Sequence, residues 1–278
     1  MLVYICGMNY KDAVLYYNEK TGDYTWNFFD GVFGMFTPAY TVSNEILNSA
    51  MKLLKPEEKS VLTVAGSGDQ AFFLKIYGAS HVDTFDISYC AKVMMDVKTA
   101  AVQNLQCDEY KKFLDSIGPA VVNIPGLPEY KKISSGLSDE TKDFLDVMRG
   151  RKFRYDSCYN FNLPTVKQYK KLQDSINKPF NFIWSDVMNV AGALTRKYDQ
   201  IYLSNIFQYN CDVDKTVKLM TDLLPVLNDG GKIMFYVTPW LQDEELCVLG
   251  KVAEKLNKFI KIHYARGFMQ HHVVVKKL

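Results

Sequence analysis

Short runs of apolar and β-branched residues recur at Ser60–Ala65, His81–Ile87, Phe180–Ser185, Tyr198–Leu203, Lys232–Val237, Phe259–Tyr264 and His272–Val275. Each is bounded by Gly, Pro or small polar residues, the signature of a strand. Between several of them the apolar period lengthens to that of a helix, most clearly over Val213–Leu227 and Glu244–Lys258. Alternation of strands with helices predicts a mainly parallel sheet covered on both faces. The last two strands are separated by residues 265–271, too few for a crossover helix, so they are predicted to pair antiparallel. The expected fold class is therefore α/β: a doubly wound, seven-stranded sheet with an antiparallel last strand.

Before the first strand, Ile46, Leu47, Ala50, Met51, Leu53 and Leu54 follow helical spacing from Ser43 onward, and Pro56 closes the segment. Aromatic runs on either side of Lys20-Thr21-Gly22-Asp23 predict a hairpin over residues 13–29. More than seventy residues separate the helix ending near Leu105 from the strand at Phe180. A simple doubly wound domain needs only a short connection there, so an inserted helical cap is expected. The expected organisation is an N-terminal hairpin and helix over 1–56, a Rossmann-like domain over 57–118 and 180–278, and a cap over 119–179.

The strand ends carry the candidate chemistry. Leu62-Thr63-Val64-Ala65 breaks into Gly66-Ser67-Gly68-Asp69, and the next strand ends in Asp86, twenty positions after Gly66. Glycines allow a sharp turn and close backbone approach to a ligand, and an acid at the second strand tip can accept both hydroxyls of a ribose. A third glycine is missing, because Phe72 stands where a dinucleotide site wants a small residue. With no pyrophosphate to cradle, S-adenosylmethionine (SAM) fits better than NAD. Asp69 would repel a phosphate but suits the ammonium of a methionine moiety.

The third and fourth tips are also polar: Asp186 after Ser185, and Ser204 with Asn205. In open parallel sheets ligands gather at these carboxyl ends. Asp86, with Ile87 beside it, is assigned to the ribose, and Asp186 to the adenine amine, with Val187 and Met188 against the ring. Ser204 completes the cofactor set, Asn205 faces the sulfonium end or the acceptor, and Tyr209 positions the acceptor. Tyr209 and Cys211 have equally good structural readings, and His271 and His272, which titrate near neutrality, are further candidates whose hairpin position favours a structural role.

Net charge of +2 calls for neither nucleic acid nor an anionic membrane. Arg151-Lys152-Phe153-Arg154-Tyr155, continued by Tyr159-Asn160-Phe161, mixes basic with aromatic side chains and is either a solvated face or a site for an acceptor. A small molecule or lipid head group is favoured over nucleic acid as that acceptor. The six cysteines form no Cys-x-x-Cys pair, which argues against a zinc site or a disulfide framework. The start shows no charged leader and no stretch has membrane-span length, so the cytoplasm is expected. No Gly-x-x-x-x-Gly-Lys-Ser/Thr loop, Pro-Cys pair or Asn-Pro-Pro-aromatic turn is present, which sets aside NTPases and two kinds of base methylase.

The segment Val61–Leu105, above all Leu62–Asp69, Asp83-Thr84-Phe85-Asp86 and Asp96–Leu105, resembles the family of bacterial S-adenosylmethionine:diacylglycerol 3-amino-3-carboxypropyltransferases. Tyr202-Leu203-Ser204-Asn205-Ile206-Phe207 is similar to that family's fourth strand and turn. The resemblance spans about half the chain and implies SAM as cofactor, a SAM-methyltransferase-like fold, and transfer of a methyl or a 3-amino-3-carboxypropyl group. A non-catalytic SAM-binding or interaction protein is the alternative, since no unmistakable base stands out.

Overall fold

A computed structural model describes residues 42–43, 45–117, 123–147, 162–206, 212–237, 242–266 and 271–278. The seven apolar runs form one sheet: β1 (Ser60–Val64), β2 (His81–Asp86), β3 (Asn181–Trp184), β4 (Tyr198–Tyr202), β5 (Leu227–Val237), β6 (Ile260–Arg266) and β7 (His271–Lys277). Their spatial order is β3-β2-β1-β4-β5-β7-β6. The first five are parallel, while β7 lies antiparallel between β5 and β6. This is the seven-stranded, doubly wound arrangement with an antiparallel last strand that the chain's periodicity predicts. Strand order reverses between β1 and β4, and that reversal opens a crevice at their carboxyl ends.

Strand β5 begins five residues earlier than its apolar run, because Leu227 pairs with Tyr198 across a register shift in β4. Gly230, at φ +70°, carries the chain through the polar start of this strand.

Successive strand residues point to opposite faces. Val61, Ala65, Val82, Tyr202 and Met234 bury on one face against α1 (Leu47–Leu54), α2 (Asp69–Ile76) and α3 (Tyr89–Asn104). Leu62, Phe85, Ile201, Ile233 and Val275 bury on the other, with α9 (Val213–Leu223) and α10 (Gln242–Lys255). The short α8 (Val190–Ala193) adds Val190 to this second core.

Helix α3 is buried nearly all round, from Tyr89 and Cys90 through Met95 and Lys98 to Val102. A helix with no solvated face needs a second layer. The segment between α3 and β3 supplies it: α4 (Cys107–Ile117), α5 (Tyr130–Ile133), α6 (Asp139–Val147) and α7 (Val166–Ser175). Ile133, Phe144 and Leu172 of this layer share a core with α2 and α3. Tyr169 donates to the carbonyls of Val102 and Leu105 and so caps the end of α3. At the opposite end of α3, the Phe144 ring lies 5.1 Å from that of Tyr89, which lies 5.0 Å from Trp184. The outer layer therefore reaches the carboxyl ends of β2 and β3 at Phe144. Residues 148–161, with Arg151, Arg154 and Tyr155, lie outside the described residues, as does the hairpin expected over 13–29.

Helix α1 starts at Leu47 rather than Ser43. Of the four preceding positions only Ile46 continues the apolar period, and the backbone groups of Ser43 and Glu45 are taken up by distant side chains: the Ser43 N–H donates to Asp69, and Asn162 Nδ2 donates to both their carbonyls. No helix among the described residues is long and apolar enough to cross a membrane.

Candidate functional site at the strand crossover

After β1 the chain turns through Gly66 (φ +49°) and Gly68 (φ +84°), left-handed conformations that glycine adopts without steric cost. A Cβ on Gly68 would stand 3.3 Å from the Met95 Cα, so this glycine also sets how closely the loop approaches α3. Phe72, the residue in place of a third glycine, is buried with its ring 5.8 Å from Phe180. The helix-to-strand packing here accommodates a full aromatic ring.

Asp86 stands at the tip of β2 as predicted and reaches the glycine loop. Its carboxylate accepts the Gly66 N–H at 2.8 Å on one oxygen and the Ser88 N–H at 2.8 Å on the other. Burial pushes its pKa up to about 6 against the pull of those backbone donors. A carboxylate has about four acceptor sites, so beside its backbone donors Asp86 keeps capacity to accept from a neighbouring diol. Ile87 is partly buried beside it, and its carbonyl accepts the Trp184 indole N–H at 2.9 Å.

Asp69 corrects one expectation. Its side chain turns into the protein rather than toward a ligand: Oδ1 pairs with Lys98 Nζ at 2.5 Å, and Oδ2 accepts the Ser43 N–H at 2.7 Å and the Ser67 hydroxyl at 3.0 Å. Lys98, fully buried in the middle of α3, also donates to the Ser67 carbonyl at 2.9 Å. The pair pins the glycine loop from behind, and Ser67 is buried with it.

The third tip sits farther from this centre. Asp186 accepts the Met188 N–H at 2.8 Å and the Asn189 side-chain amide at 2.5 Å, closing the turn into α8. Val187 is buried in the second core, where Met188 packs against it, so the Val187 side chain is committed to packing. Asp186 is nonetheless partly exposed at the carboxyl end of β3, one strand beyond Asp86.

At the fourth tip the structure adds what the sequence does not announce. Ser204 is buried and holds φ +56°, a conformation rare for a residue with a Cβ and costing about 1–3 kcal/mol. Its hydroxyl donates to Glu45, and so does the Tyr202 phenol. Gln70 Nε2 donates to the same carboxyl at 3.4 Å. Glu45 is buried, and loss of hydration raises its pKa against these three donors. Burial and the nearby Glu45 raise the Tyr202 phenol well above its ordinary range, so it stays a donor. Ser43, Glu45 and Leu47 thus form a strap at the β1–β4 crevice, tied to the glycine loop, to the tip of β4 and to Asn162.

Asn205 follows Ser204 and is partly buried, its Oδ1 3.5 Å from the Ser204 hydroxyl. Tyr209 and Cys211 lie outside the described residues. His272 pairs with Tyr236 across β5 and β7, and Tyr236 N–H donates to the Ser204 carbonyl, so the histidine stands level with Ser204, two strands away. Burial lowers its pKa to about 4, with a further contribution from His271. A neutral imidazole in the sheet packs better than it shuttles protons at neutral pH.

The structure brings Gly66, Ser67, Gly68, Asp86 and Ser204 together around the crossover and adds Glu45, Gln70 and Lys98. Lys98 carried a readable signal, since a lysine amid Met94, Met95, Val97 and Ala101 sits on a buried helical face and requires a partner. Glu45 carried none, because its partners lie 25 to 159 positions away.

Fold and site together define a doubly wound α/β protein with a polar, glycine-lined crevice at its topological switch point. No family model and no curated protein sequence matches the chain. Among solved structures, a magnesium protoporphyrin IX methyltransferase from Synechocystis with bound SAM is 12% identical, with 98% of each chain covered and a TM-score of 0.42. An N-methyltransferase from Bradyrhizobium japonicum with bound S-adenosylhomocysteine is 8% identical over 83% of this chain and 86% of its own, at a TM-score of 0.42. An rRNA methylase from Streptococcus thermophilus is 11% identical over 84% and 97%, at 0.43.

Proposed function

We propose that this protein is a SAM-dependent transferase that moves a methyl or a 3-amino-3-carboxypropyl group to a small-molecule or lipid head-group acceptor in the cytoplasm. The observation that carries this reading is Asp86 at the tip of β2, hydrogen-bonded to Gly66 of a loop with two left-handed glycines, at the crossover where such sheets bind nucleosides. The residues fit an adenosine: Asp86 for the ribose hydroxyls, the Gly66–Gly68 backbone for the sugar and its substituent, and Asp186 for the adenine amine. Phe72 stands in place of the third glycine of a pyrophosphate-binding loop, which argues against a dinucleotide.

The sulfonium activates each attached carbon toward in-line displacement, the acceptor's lone pair forming the new bond while the carbon–sulfur pair returns to sulfur. What this chain supplies is alignment. Asn205 and Tyr209, following the tip of β4, are assigned to the acceptor, and residues 119–179 to its selection. A thiol or amine acceptor needs little help losing its proton, whereas a hydroxyl needs a base.

Incubation with SAM and candidate acceptors tests the reading. S-adenosylhomocysteine as product marks methyl transfer, methylthioadenosine marks aminocarboxypropyl transfer, and binding without either product supports the non-catalytic alternative. Replacing Arg151 and Arg154 by Ala is expected to lower turnover while leaving SAM affinity nearly unchanged; equal turnover would remove the basic cluster from the acceptor site.

A further inference from the structure

The Glu45 carboxyl is buried among neutral donors. Tyr202, Ser204 and Gln70 donate to it, and among the described residues no lysine, arginine or histidine forms an ion pair with it. A buried carboxylate without a cation is costly, and the cost is relieved when one arrives. A second, independent feature stands beside it. Gln70 is buried, and its Oε1 has no hydrogen-bond partner among the described residues. In this orientation the amide Nε2 lies 3.4 Å from both Ser43 Oγ and Glu45 Oε1 and donates to both. The Gln70 amide lies against the glycine loop, with Oε1 3.5 Å and Nε2 3.6 Å from where a Cβ of Gly66 would stand.

We infer that Glu45 and Gln70 together receive the primary ammonium of the bound cofactor's amino-acid arm, the role that Asp69 cannot fill because Lys98 neutralises it. This inference rests on the transferase reading and deepens it. The connected series Asp86, Gly66, Gln70, Glu45, Ser204 crosses from β2 over β1 to β4, so an adenosine held at Asp86 directs its 5′ substituent along the switch-point crevice toward Glu45. An ammonium brings both a charge for Glu45 and N–H donors for the orphan Oε1. The sulfonium offers no N–H and leaves that oxygen unsatisfied. A carboxylate placed against the sulfonium would also stabilise a charge that disappears during transfer and so slow the reaction. The arm's carboxylate is excluded from this spot by repulsion.

Calorimetry with three ligands tests the assignment: S-adenosylhomocysteine, its analogue with hydrogen in place of the amino group, and methylthioadenosine, which lacks the amino-acid arm. The parent protein is expected to prefer S-adenosylhomocysteine over the deaminated analogue by about tenfold or more. Glu45→Gln and Gln70→Met are each expected to shrink that preference while leaving methylthioadenosine affinity within about twofold. Because the first comparison uses the unaltered protein, a folding defect in either variant does not decide the matter. Equal binding of S-adenosylhomocysteine and the deaminated analogue by the parent overturns the inference while leaving the transferase reading intact. Failure of the parent to bind any of the three overturns both.

Discussion

Replacing Lys98 by methionine removes a charge from the interior while keeping most of the volume of its stem. In the parent, Lys98 Nζ is bound by Asp69 Oδ1 at 2.5 Å and by the Ser67 carbonyl at 2.9 Å, with no solvent exposure. The variant leaves the Asp69 carboxylate buried with two neutral donors, Ser43 N–H and Ser67 Oγ, and without its cation. Removing one partner of a buried pair costs about 3–5 kcal/mol. For a chain of this size that corresponds to a fall in melting temperature of roughly 10 °C. Urea unfolding followed by circular dichroism measures it, read as a lower midpoint at unchanged slope. Lys170→Met, which breaks the exposed pair with Asp174, is the control and is expected to change stability by less than about 0.5 kcal/mol. The double variant Lys98→Met/Asp69→Leu should recover part of the loss, because it removes the stranded charge as well. A Lys98→Met protein as stable as the control would refute the argument that this pair pins the glycine loop.

Asp86 must be ionised to accept both ribose hydroxyls, so S-adenosylhomocysteine affinity should weaken as pH falls through about 6, approaching tenfold per pH unit well below it; Asp86→Asn should bind more weakly and lose that share of the pH dependence in calorimetric titrations. Gly68→Ala forces a Cβ into the left-handed region and against the Met95 backbone, and is expected to cost about 1–3 kcal/mol in urea unfolding; a neutral result would mean the loop can shift away from α3. The folded-state pKa of His272 is depressed to about 4, so the unfolded chain binds its proton first and stability is lost as pH falls from about 6.5 toward 4. His272→Phe should flatten the acid limb of the stability profile by up to about 3 kcal/mol, and an unchanged limb would show that other groups dominate it.

The strands were legible because β-branched and aromatic runs ended at Gly, Pro and Asp. The strand-end residues Gly66, Asp86, Asp186 and Ser204 were found by the same punctuation. Helix α1 was misplaced at its start, since the periodicity of Ile46 and Leu47 says nothing about the Ser43 N–H bonding Asp69. Asp69 itself looked like a ligand-facing acid because its partner, Lys98, comes 29 positions later on another helix. Val187 was expected against a ring and is instead buried in the core cluster that also holds Val190 and Phe85. What the sequence could not convey were contacts set by tertiary geometry: a carboxyl from one end of the chain meeting a serine hydroxyl from far along it. Tyr209, the basic-aromatic cluster at 151–155 and the N-terminal hairpin lie outside the described residues.

The strap across the crevice bears on how the molecule assembles. Its bonds join Ser43, Glu45 and Leu47 to Asn162, Tyr202 and Ser204 over separations of 115 to 159 positions, whereas β1 finds its first neighbour, β2, within a few dozen. Loop closure over such lengths comes late and slowly in folding. A nascent chain that has emerged only as far as β3 can pair β2 with β1 and with β3, yet it lacks two of the three side chains that donate to Glu45. The crevice is therefore finished only after β4 has joined the sheet, and a chain terminated before Tyr202 should be caught as an aggregation-prone intermediate rather than as a smaller binding protein.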